Sequence, residues 1–301
     1  MPSEEARAVL KLNSDLRDAW LADPNYTFDD MRKIFEDWLG QFEIPAGTEV
    51  TPVDCDGVPC LWIDTPDATK DRVAIHFHSG GYMMGSAHGY RSFGGFLSRA
   101  TSCRVLMVDY RLAPESPFPA AVEDAMTVYK WLLKSGIDPA KTLIAGDSAG
   151  GGLALITLQV IRDEGLPLPA AGVSISPFAD FAHSGESRKI NADRDPLVTM
   201  DLIANLGAVY CGERDPKDPR ISPLYGDWTG LPPLLIFAGE IEMLRDDGKL
   251  CAEAARKAGV DATYVEGEGM AHIWTVYADR LPEAREALTQ IGAFAQQHLK
   301  D

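Results

Sequence analysis

Short apolar runs alternate with helix-length segments along most of this 301-residue chain. Runs rich in β-branched and aromatic residues are typical of strands, and they occur at residues 58–63, 73–78, 103–109, 142–146, 171–176, 233–238 and 262–265. Apolar residues spaced three and four positions apart predict helices at residues 120–133, 149–161, 246–258 and 282–299. Alternation of this kind indicates a mainly parallel sheet with helices on both faces.

Two segments fall outside this alternation. Residues 1–44 carry too many aromatic side chains for a disordered tail, namely Trp20, Tyr26, Phe28, Phe35, Trp38 and Phe42. Residues 183–215 open with a loop-like sequence and continue into a predicted helix at 200–210. Open α/β sheets bind ligands at the carboxyl edge of their strands, so either segment is suited to form a lid over that edge.

Composition narrows the possible partners and the location. The chain has 28 Lys and Arg against 45 Asp and Glu, and its formal charge of −17 argues against binding to nucleic acid or to anionic membranes. Five scattered cysteines without zinc-site spacing are expected to be reduced and mostly structural. The N-terminal sequence lacks the continuous apolar stretch of a signal peptide or a membrane span, so we expect a cytoplasmic protein without membrane insertion.

A serine among small residues follows the predicted strand at 142–146. The sequence GDSAG at residues 146–150 fits G-x-S-x-G between a strand and a helix, which is the context of a nucleophile elbow. A sharp turn there would bring Gly146 and Gly150 close together and project the Ser148 hydroxyl into a cleft. The alternative is a glycine-rich helix start in which Ser148 is an ordinary N-cap.

A serine nucleophile needs a base and an acid, which follow such an elbow in the order Ser, acid, His. His272 lies in a turn of small residues after the last predicted strand, where an imidazole can reach Ser148. Glu242 follows the strand at 233–238 and is the preferred acid. Asp246 is the second candidate, although its position suits the first turn of the following helix.

Attack on a carbonyl also needs N–H donors for the negative charge that develops on its oxygen. The sequence HSGGY at residues 78–82 ends a predicted strand, and its glycines allow the backbone to approach a substrate closely. The backbone amides of Gly80, Gly81 and Ala149 are therefore the candidate donors of an oxyanion hole. A plain turn is the alternative interpretation of these two glycines.

Together these motifs resemble those of the hormone-sensitive lipase family of α/β-hydrolases, the bacterial HGGG esterases. HSGGYMMGS at 78–86 is similar to the HGGG segment, VDYRLAPESPFPAAVEDA at 108–125 to the YRLAPE-type stretch, and GDSAGGGLAL at 146–155 to the GDSAG elbow. The segments at 218–240 and 269–274 complete the order of motifs. The resemblance covers the chain from about residue 50 to the C-terminus.

This resemblance implies an α/β-hydrolase fold, with a mainly parallel eight-stranded sheet flanked by helices and covered by a helical cap. The catalytic domain is expected to comprise residues 46–182 and 216–301. The cap is expected to comprise an N-terminal segment, residues 1–45, and a second segment, residues 183–215. Relatives often dimerise through the last strand, so a homodimer through residues 262–265 is expected.

The resemblance further implies hydrolysis of short to medium acyl esters through an acyl-serine intermediate, with a small-molecule ester as the partner. Ser148 is then the nucleophile, His272 the base and Glu242 the acid, and no metal or organic cofactor is expected. The same machinery suits a lactone, a carbamate or an arylamide. A noncatalytic small-molecule receptor on this scaffold is the alternative from another functional class.

Two positions depart from the family pattern. Ser79 replaces the first glycine of HGGG, which leaves the donors at the next two positions and adds a hydroxyl near them. Glu242 stands where most relatives carry aspartate. Glutamate is an accepted triad acid, but its longer side chain requires a shifted loop.

Residues beside these motifs are candidates for the substrate pocket, namely Tyr82, Met83, Asp147, Ile273 and Trp274. Met83 and Trp274 either line the pocket or pack beneath it, and the sequence favours neither possibility. Asp109 and Arg111 are expected to hold loops together through charge-assisted hydrogen bonds rather than to bind substrate.

Overall fold

The computed structural model of the chain describes residues 3–22 and 27–300. Within these residues the strands of the single sheet are β1 (Glu49–Cys55), β2 (Val58–Asp64), β3 (Thr69–Phe77), β4 (Cys103–Val108), β5 (Thr142–Asp147), β6 (Ala171–Ile175), β7 (Leu234–Gly239) and β8 (Ala262–Gly267). Their order in space is β1-β2-β4-β3-β5-β6-β7-β8. Strand β2 is antiparallel to both of its neighbours, and all other pairs are parallel. The prediction of a mainly parallel sheet of eight strands is confirmed.

Helices flank this sheet. Over the same residues they are α1 (Glu4–Leu21), α2 (Phe28–Leu39), α3 (Arg91–Thr101), α4 (Ala120–Lys134), α5 (Ala149–Asp163), α6 (Ser187–Ile190), α7 (Met200–Cys211), α8 (Arg245–Lys257) and α9 (Pro282–His298). Helices α3 and α9 pack against each other, and so do α4 and α5. The five helices predicted from apolar spacing are all present, with ends that differ by one or two residues.

Strand β1 and helix α3 were not predicted, for different physical reasons. Strand β1 lies at the edge of the sheet and is largely exposed, so it lacks the apolar pattern of a buried strand. Helix α3 contains Gly94 and Gly95, which are poor helix formers. A Cβ atom on Gly94 would lie 2.4 Å from Cδ1 of Ile63 in β2, so this glycine lets the helix approach the sheet closely.

The centre of the sheet is the core of the protein. All residues of β5, β6 and β7 are buried, as is β3 from Val73 to Phe77. Parallel strands covered on both faces are expected to be apolar throughout. The five cysteines are buried here and elsewhere as free thiols. The loops that follow β3, β5, β7 and β8 leave the carboxyl edge of this rigid core.

The N-terminal segment packs through its aromatic side chains. Phe35 and Trp38 of α2 stack on each other, and Trp38 makes an edge contact with Tyr277, which lies shortly after the last strand. The Tyr277 hydroxyl donates to Asn13 Oδ1 of α1. Among the predicted aromatic residues, Tyr26 lies outside the described residues. Of the other five, Trp20 lies in α1, Phe28, Phe35 and Trp38 lie in α2, and Phe42 follows α2.

Residues 183–215 contain α6 and α7, and α7 corresponds to the helix predicted at 200–210. Across the described ranges, no helix combines the length and the apolar character needed to cross a membrane.

Candidate active site

Ser148 lies in a strained turn between β5 and α5. Its φ of 54° and ψ of −119° fall outside the regions that residues other than glycine usually adopt. A Cβ atom on Gly146 would lie 2.1 Å from the carbonyl oxygen of Gly150, and one on Gly150 would lie 2.0 Å from that of Phe77. The turn therefore excludes a side chain at both glycine positions, as predicted for a nucleophile elbow. The Ser148 hydroxyl makes no capping bond to α5, in contrast to the N-cap alternative.

The three predicted triad residues form a continuous chain of hydrogen bonds. His272 Nε2 lies 2.8 Å from Ser148 Oγ, and His272 Nδ1 lies 2.7 Å from Glu242 Oε2. With its proton on Nδ1, the imidazole donates to the carboxylate and accepts from the serine hydroxyl. Glu242 is fully buried, and His272 and Ser148 are exposed by only 4% and 7%.

Glu242, rather than Asp246, is the carboxylate at the imidazole. Glu242 Oε1 also accepts from the backbone N–H of Gly239 at 2.9 Å. Asp246 lies in the first turn of α8, where it accepts from the backbone N–H of Ser187 at 2.8 Å and pairs with Arg245. The alternative acid is therefore used to join α8 to the 183–215 segment.

The surroundings of His272 favour its charged form. Burial disfavours a positive charge on the ring, but the hydrogen bond to Glu242 and the negative charges of Glu242, Asp195 and Asp147 outweigh burial. The pKa of His272 is therefore raised above its ordinary value. An imidazole in this environment is a stronger base towards the adjacent hydroxyl.

The two glycines of the loop after β3 lie beside Ser148 and His272. Gly80 and Gly81 have φ values of 122° and 62°, which favour glycine, and both line a cavity together with Ser148 and His272. Ala149 is the first residue of α5 and adjoins the serine. The three candidate oxyanion donors therefore belong to two backbone segments that meet at Ser148.

The cavity in front of Ser148 has a volume of about 50 Å³. Apart from the residues above, its walls are almost entirely apolar, and they include Trp20, Phe35, Phe178, Leu197, Val198, Leu202, Ile203, Leu206 and Leu244. Helix α7 packs directly against the glycine loop. A Cβ atom on Gly81 would lie 2.5 Å from Leu206 Cδ1, so there is no space for a side chain between them. Arg32 of α2 holds the same loop by donating to the backbone oxygen of Met83 at 2.8 Å.

Of the five predicted pocket residues, Ile273 lines this cavity. Tyr82 instead stacks on Tyr210, with ring centroids 3.9 Å apart. Met83 lines a larger neighbouring cavity between α1, α2 and α7, which shares Trp20, Leu202 and Leu206 with the first. Trp274 lines a groove beside β8 and α9. These three residues do not line the cavity in front of Ser148, and their place in the substrate pocket stays a prediction. The chain turns at Gly80–Gly81 and again at Ile273, whose φ is 50°.

Asp147 does not line this cavity either, and its place in the substrate pocket also stays a prediction. Its carboxylate accepts from the Tyr90 hydroxyl at 2.5 Å and lies 2.9 Å from His76 Nε2. The hydroxyl of Ser79 is hydrogen-bonded to Tyr90 in turn. The unusual Ser79 is thus part of a buried network that joins the glycine loop to the residue before the nucleophile.

Asp109 and Arg111 hold loops together. Asp109 accepts from the backbone N–H of Ala87, and Arg111 forms hydrogen bonds and ion pairs with Asp124 and Glu123.

Sequence reasoning did not identify the residues of the 183–215 segment that contact the loop bearing Glu242. They are Ser187, Arg188, Asn191 and Asp195. The only local signal was Asp195-Pro196 before an apolar pair, a pattern typical of a turn.

The chain is similar to known proteins in sequence and in fold. Residues 74–276 match the family described as the alpha/beta hydrolase fold. An acetyl-hydrolase of Streptomyces hygroscopicus is 40% identical over 291 residues, which cover 97% of this chain and 95% of that protein. A crystal structure of an esterase from the bacterial hormone-sensitive lipase family is 41% identical, covers 100% of both chains and gives a TM-score of 0.95. A crystal structure of EstE5 soaked with p-nitrophenyl butyrate is 37% identical, with 99% coverage of both chains and a TM-score of 0.92. The chain therefore belongs to the hormone-sensitive lipase family of α/β-hydrolase esterases.

Proposed function

We propose that this esterase is a serine carboxylesterase that acts through an acyl-serine intermediate. The observation that carries the proposal is the hydrogen-bonded chain Ser148–His272–Glu242 at the wall of an apolar cavity. His272 removes the hydroxyl proton while Ser148 attacks the ester carbonyl. The imidazolium, stabilised by Glu242, then protonates the departing alcohol. Water repeats the same steps on the acyl-enzyme and releases the acid.

The tetrahedral oxyanion is assigned to the amides of Gly80, Gly81 and Ala149. This assignment is supported by the meeting of the glycine loop and the start of α5 beside Ser148. Donors of this kind each contribute on the order of 3 kcal/mol to transition-state stabilisation.

The proposed substrates are esters with short to medium acyl groups. The apolar walls of the cavity and its volume of about 50 Å³ support a small acyl group beside Ser148, and the neighbouring cavity of about 790 Å³, which shares Trp20, Leu202 and Leu206, supports acyl groups of medium length. The names of the relatives point the same way, since one is an acetyl-hydrolase and the EstE5 crystal was soaked with a butyrate ester. Lactones and amides remain substrates to test on the same site.

We assign the cap to residues 1–45 and 183–215, within the described ranges, because both segments supply walls of the cavity. The remaining residues form the catalytic domain. A homodimer through β8 is supported by its place at the edge of the sheet, and light scattering tests it, with a monomer as the contrary result. The five buried free thiols support a reducing, cytoplasmic location.

The test is an initial-rate series with p-nitrophenyl esters from acetate to palmitate, for the unaltered protein and for Ser148→Ala. We expect the highest kcat/KM at the short end of the series and loss of turnover in the variant, with an unchanged melting temperature. An organophosphate should label Ser148 covalently only in the unaltered protein. Undiminished turnover in Ser148→Ala would reject the mechanism, and absence of both turnover and labelling in the unaltered protein would favour a noncatalytic receptor.

A further inference from the structure

The backbone that carries Glu242 is held by side chains of the second cap segment. We call residues 240–243 the acid loop. The amide nitrogen of Asn191 donates to the carbonyl oxygens of Glu240 and Glu242, at 2.9 Å and 2.8 Å. Ser187 and Arg188 both donate to the carbonyl oxygen of Met243. The two residues at the end of the acid loop are therefore fixed from outside the sheet.

Asp195 completes this set of contacts and connects it to the cavity. One carboxylate oxygen accepts from the backbone N–H of Met243 at 2.8 Å. The other oxygen accepts from the backbone N–H groups of Leu197 and Val198, at 2.9 Å and 3.0 Å. Both of these residues line the cavity in front of Ser148. A single carboxylate thus joins the acid loop to the cavity wall.

Burying a carboxylate costs free energy, which its hydrogen bonds must offset. Asp195 is only 3% exposed, and an unpaired buried charge is strongly unfavourable. Three backbone N–H donors satisfy it, and hydrogen bonds to a charged acceptor are stronger than those to a neutral one. Movement of the acid loop alone, or of the cavity wall alone, would break one set of these bonds. We therefore expect the two to move together.

We propose that Asp195 is a positioning residue, which sets the acid loop and the cavity wall as one unit. This inference rests on the proposed function, because it assigns Glu242 to the triad. A glutamate has one more rotatable bond than an aspartate, so the position of its carboxylate depends more on the backbone from which it extends. Asn191 at the carbonyl of Glu242 and Asp195 at the N–H of Met243 fix that backbone on both sides.

The charge of Asp195 adds an electrostatic effect on the base. The charged groups that act on His272 are Glu242 on the acid loop, Asp195 on the cap and Asp147 at the end of β5. All three are negative and favour the imidazolium. Removing the charge of Asp195 lowers the pKa of His272, so the acid limb of the rate profile moves to lower pH.

The test compares Asp195→Asn with Asp193→Asn, which removes the same charge from an exposed position two residues away. Asparagine has one acceptor oxygen where Asp195 uses two, so one side of the connection is lost. For p-nitrophenyl butyrate we expect kcat of Asp195→Asn to fall by a factor on the order of 100. We also expect an acid limb at lower pH and a changed ratio of kcat/KM between acetate and hexanoate esters. Asp193→Asn should match the unaltered protein in all three measurements.

Asn191→Ala provides the second variant. It removes the two bonds from Asn191 to the acid loop and the bond that Asn191 accepts from Arg194, but leaves the cavity wall and the charge of Asp195 in place. We expect kcat to fall by a factor on the order of 10 while the preference for acyl length stays the same. If Asp195→Asn does not fold, this variant decides, and an unchanged kcat in Asn191→Ala overturns the proposal.

Kinetics of Asp195→Asn equal to those of Asp193→Asn would also overturn it. So would a uniform loss of activity at every pH and acyl length together with a lower melting temperature, because that pattern indicates general destabilisation. Ser148→Ala separates the two levels of inference. If that variant remains active, the proposed function fails; if it is inactive while Asp195→Asn behaves normally, only the positioning role fails.

Discussion

The proposed nucleophile, Ser148, and the proposed acid, Glu242, are held in different ways. The elbow around Ser148 is fixed by backbone packing inside the hydrolase sheet, where Gly146 and Gly150 leave no space for a side chain. The acid loop is fixed by polar side chains of the 183–215 segment, which lie about fifty residues earlier in the chain. A site of this kind has one component determined by local sequence and another determined by contacts between distant segments.

The largest loss of activity is expected from Glu242→Gln, which changes the carboxylate that the acid loop carries. The amide cannot stabilise the imidazolium, and it can hold the ring with its proton on the wrong nitrogen. We expect kcat for p-nitrophenyl butyrate to fall by a factor on the order of 10⁴. Glu242→Asp is the matched variant, which keeps the charge but withdraws it by one methylene, and its loss should be on the order of 100-fold. Equal activity of Glu242→Asp and the unaltered protein would show that the loop adapts to either acid.

The elbow is broken by Gly150→Ala. Its Cβ atom would lie 2.0 Å and 2.5 Å from the backbone oxygens of Phe77 and His78, so the strand or the helix must shift. We expect a loss of about 4 kcal/mol in the free energy of unfolding, measured by urea denaturation. The control is Gly259→Ala, a position with positive φ and open space, for which we expect a loss of about 1 kcal/mol. Similar losses in both variants would contradict the steric account of the elbow.

A smaller effect is expected where the two glycine-rich segments are joined by side chains. Tyr90→Phe removes the hydroxyl between Ser79 and Asp147 and leaves buried polar atoms without that partner. We expect kcat to fall by a factor of about 10, with little change in KM, because the groups that bind the acyl chain are untouched. Tyr264→Phe on the edge strand removes a hydroxyl from an exposed bond and should have no effect. A change in KM alone after Tyr90→Phe would place the network in substrate binding instead.

The smallest expected effect is on the pH profile of the unaltered protein. His272 acts as a base only when neutral, and its pKa is raised, chiefly through Glu242. The acid limb of kcat/KM should therefore lie above the ordinary histidine value of about 6.5, with activity lost as pH falls through it. Glu242→Gln should move this limb to lower pH, since burial then becomes the dominant influence on the ring. An acid limb that stays in place would show that another group titrates.

The elements that the sequence predicted well are those whose residues face one uniform environment. Strands β5, β6 and β7 are buried on both sides, so apolar runs identify them. Strand β1 is exposed at an edge, and α3 contains adjacent glycines that serve close packing, so neither has a strong local pattern. These features follow from neighbours that are distant in the chain.

The same distinction applies to the site. Ser148, His272 and Glu242 were identifiable because each follows a recognisable strand within a characteristic motif. The pocket residues were not, because proximity to a motif does not determine side-chain direction: of the five predicted, only Ile273 lines the cavity. Asn191 and Asp195 lie in a loop without a motif, and only the folded chain brings them to the acid loop.

The closeness of Leu206 to Gly81 has a consequence for the rate of the reaction. The cavity in front of the serine, with a volume of about 50 Å³, is smaller than a complete ester with its alcohol, so we expect side chains of α7 to move outwards when a substrate binds. On this expectation, each turnover includes an outward and inward movement of these side chains against the solvent. For substrates whose chemical step is fast, this movement then contributes to the rate, and we expect kcat to fall as sucrose raises the viscosity of the solution.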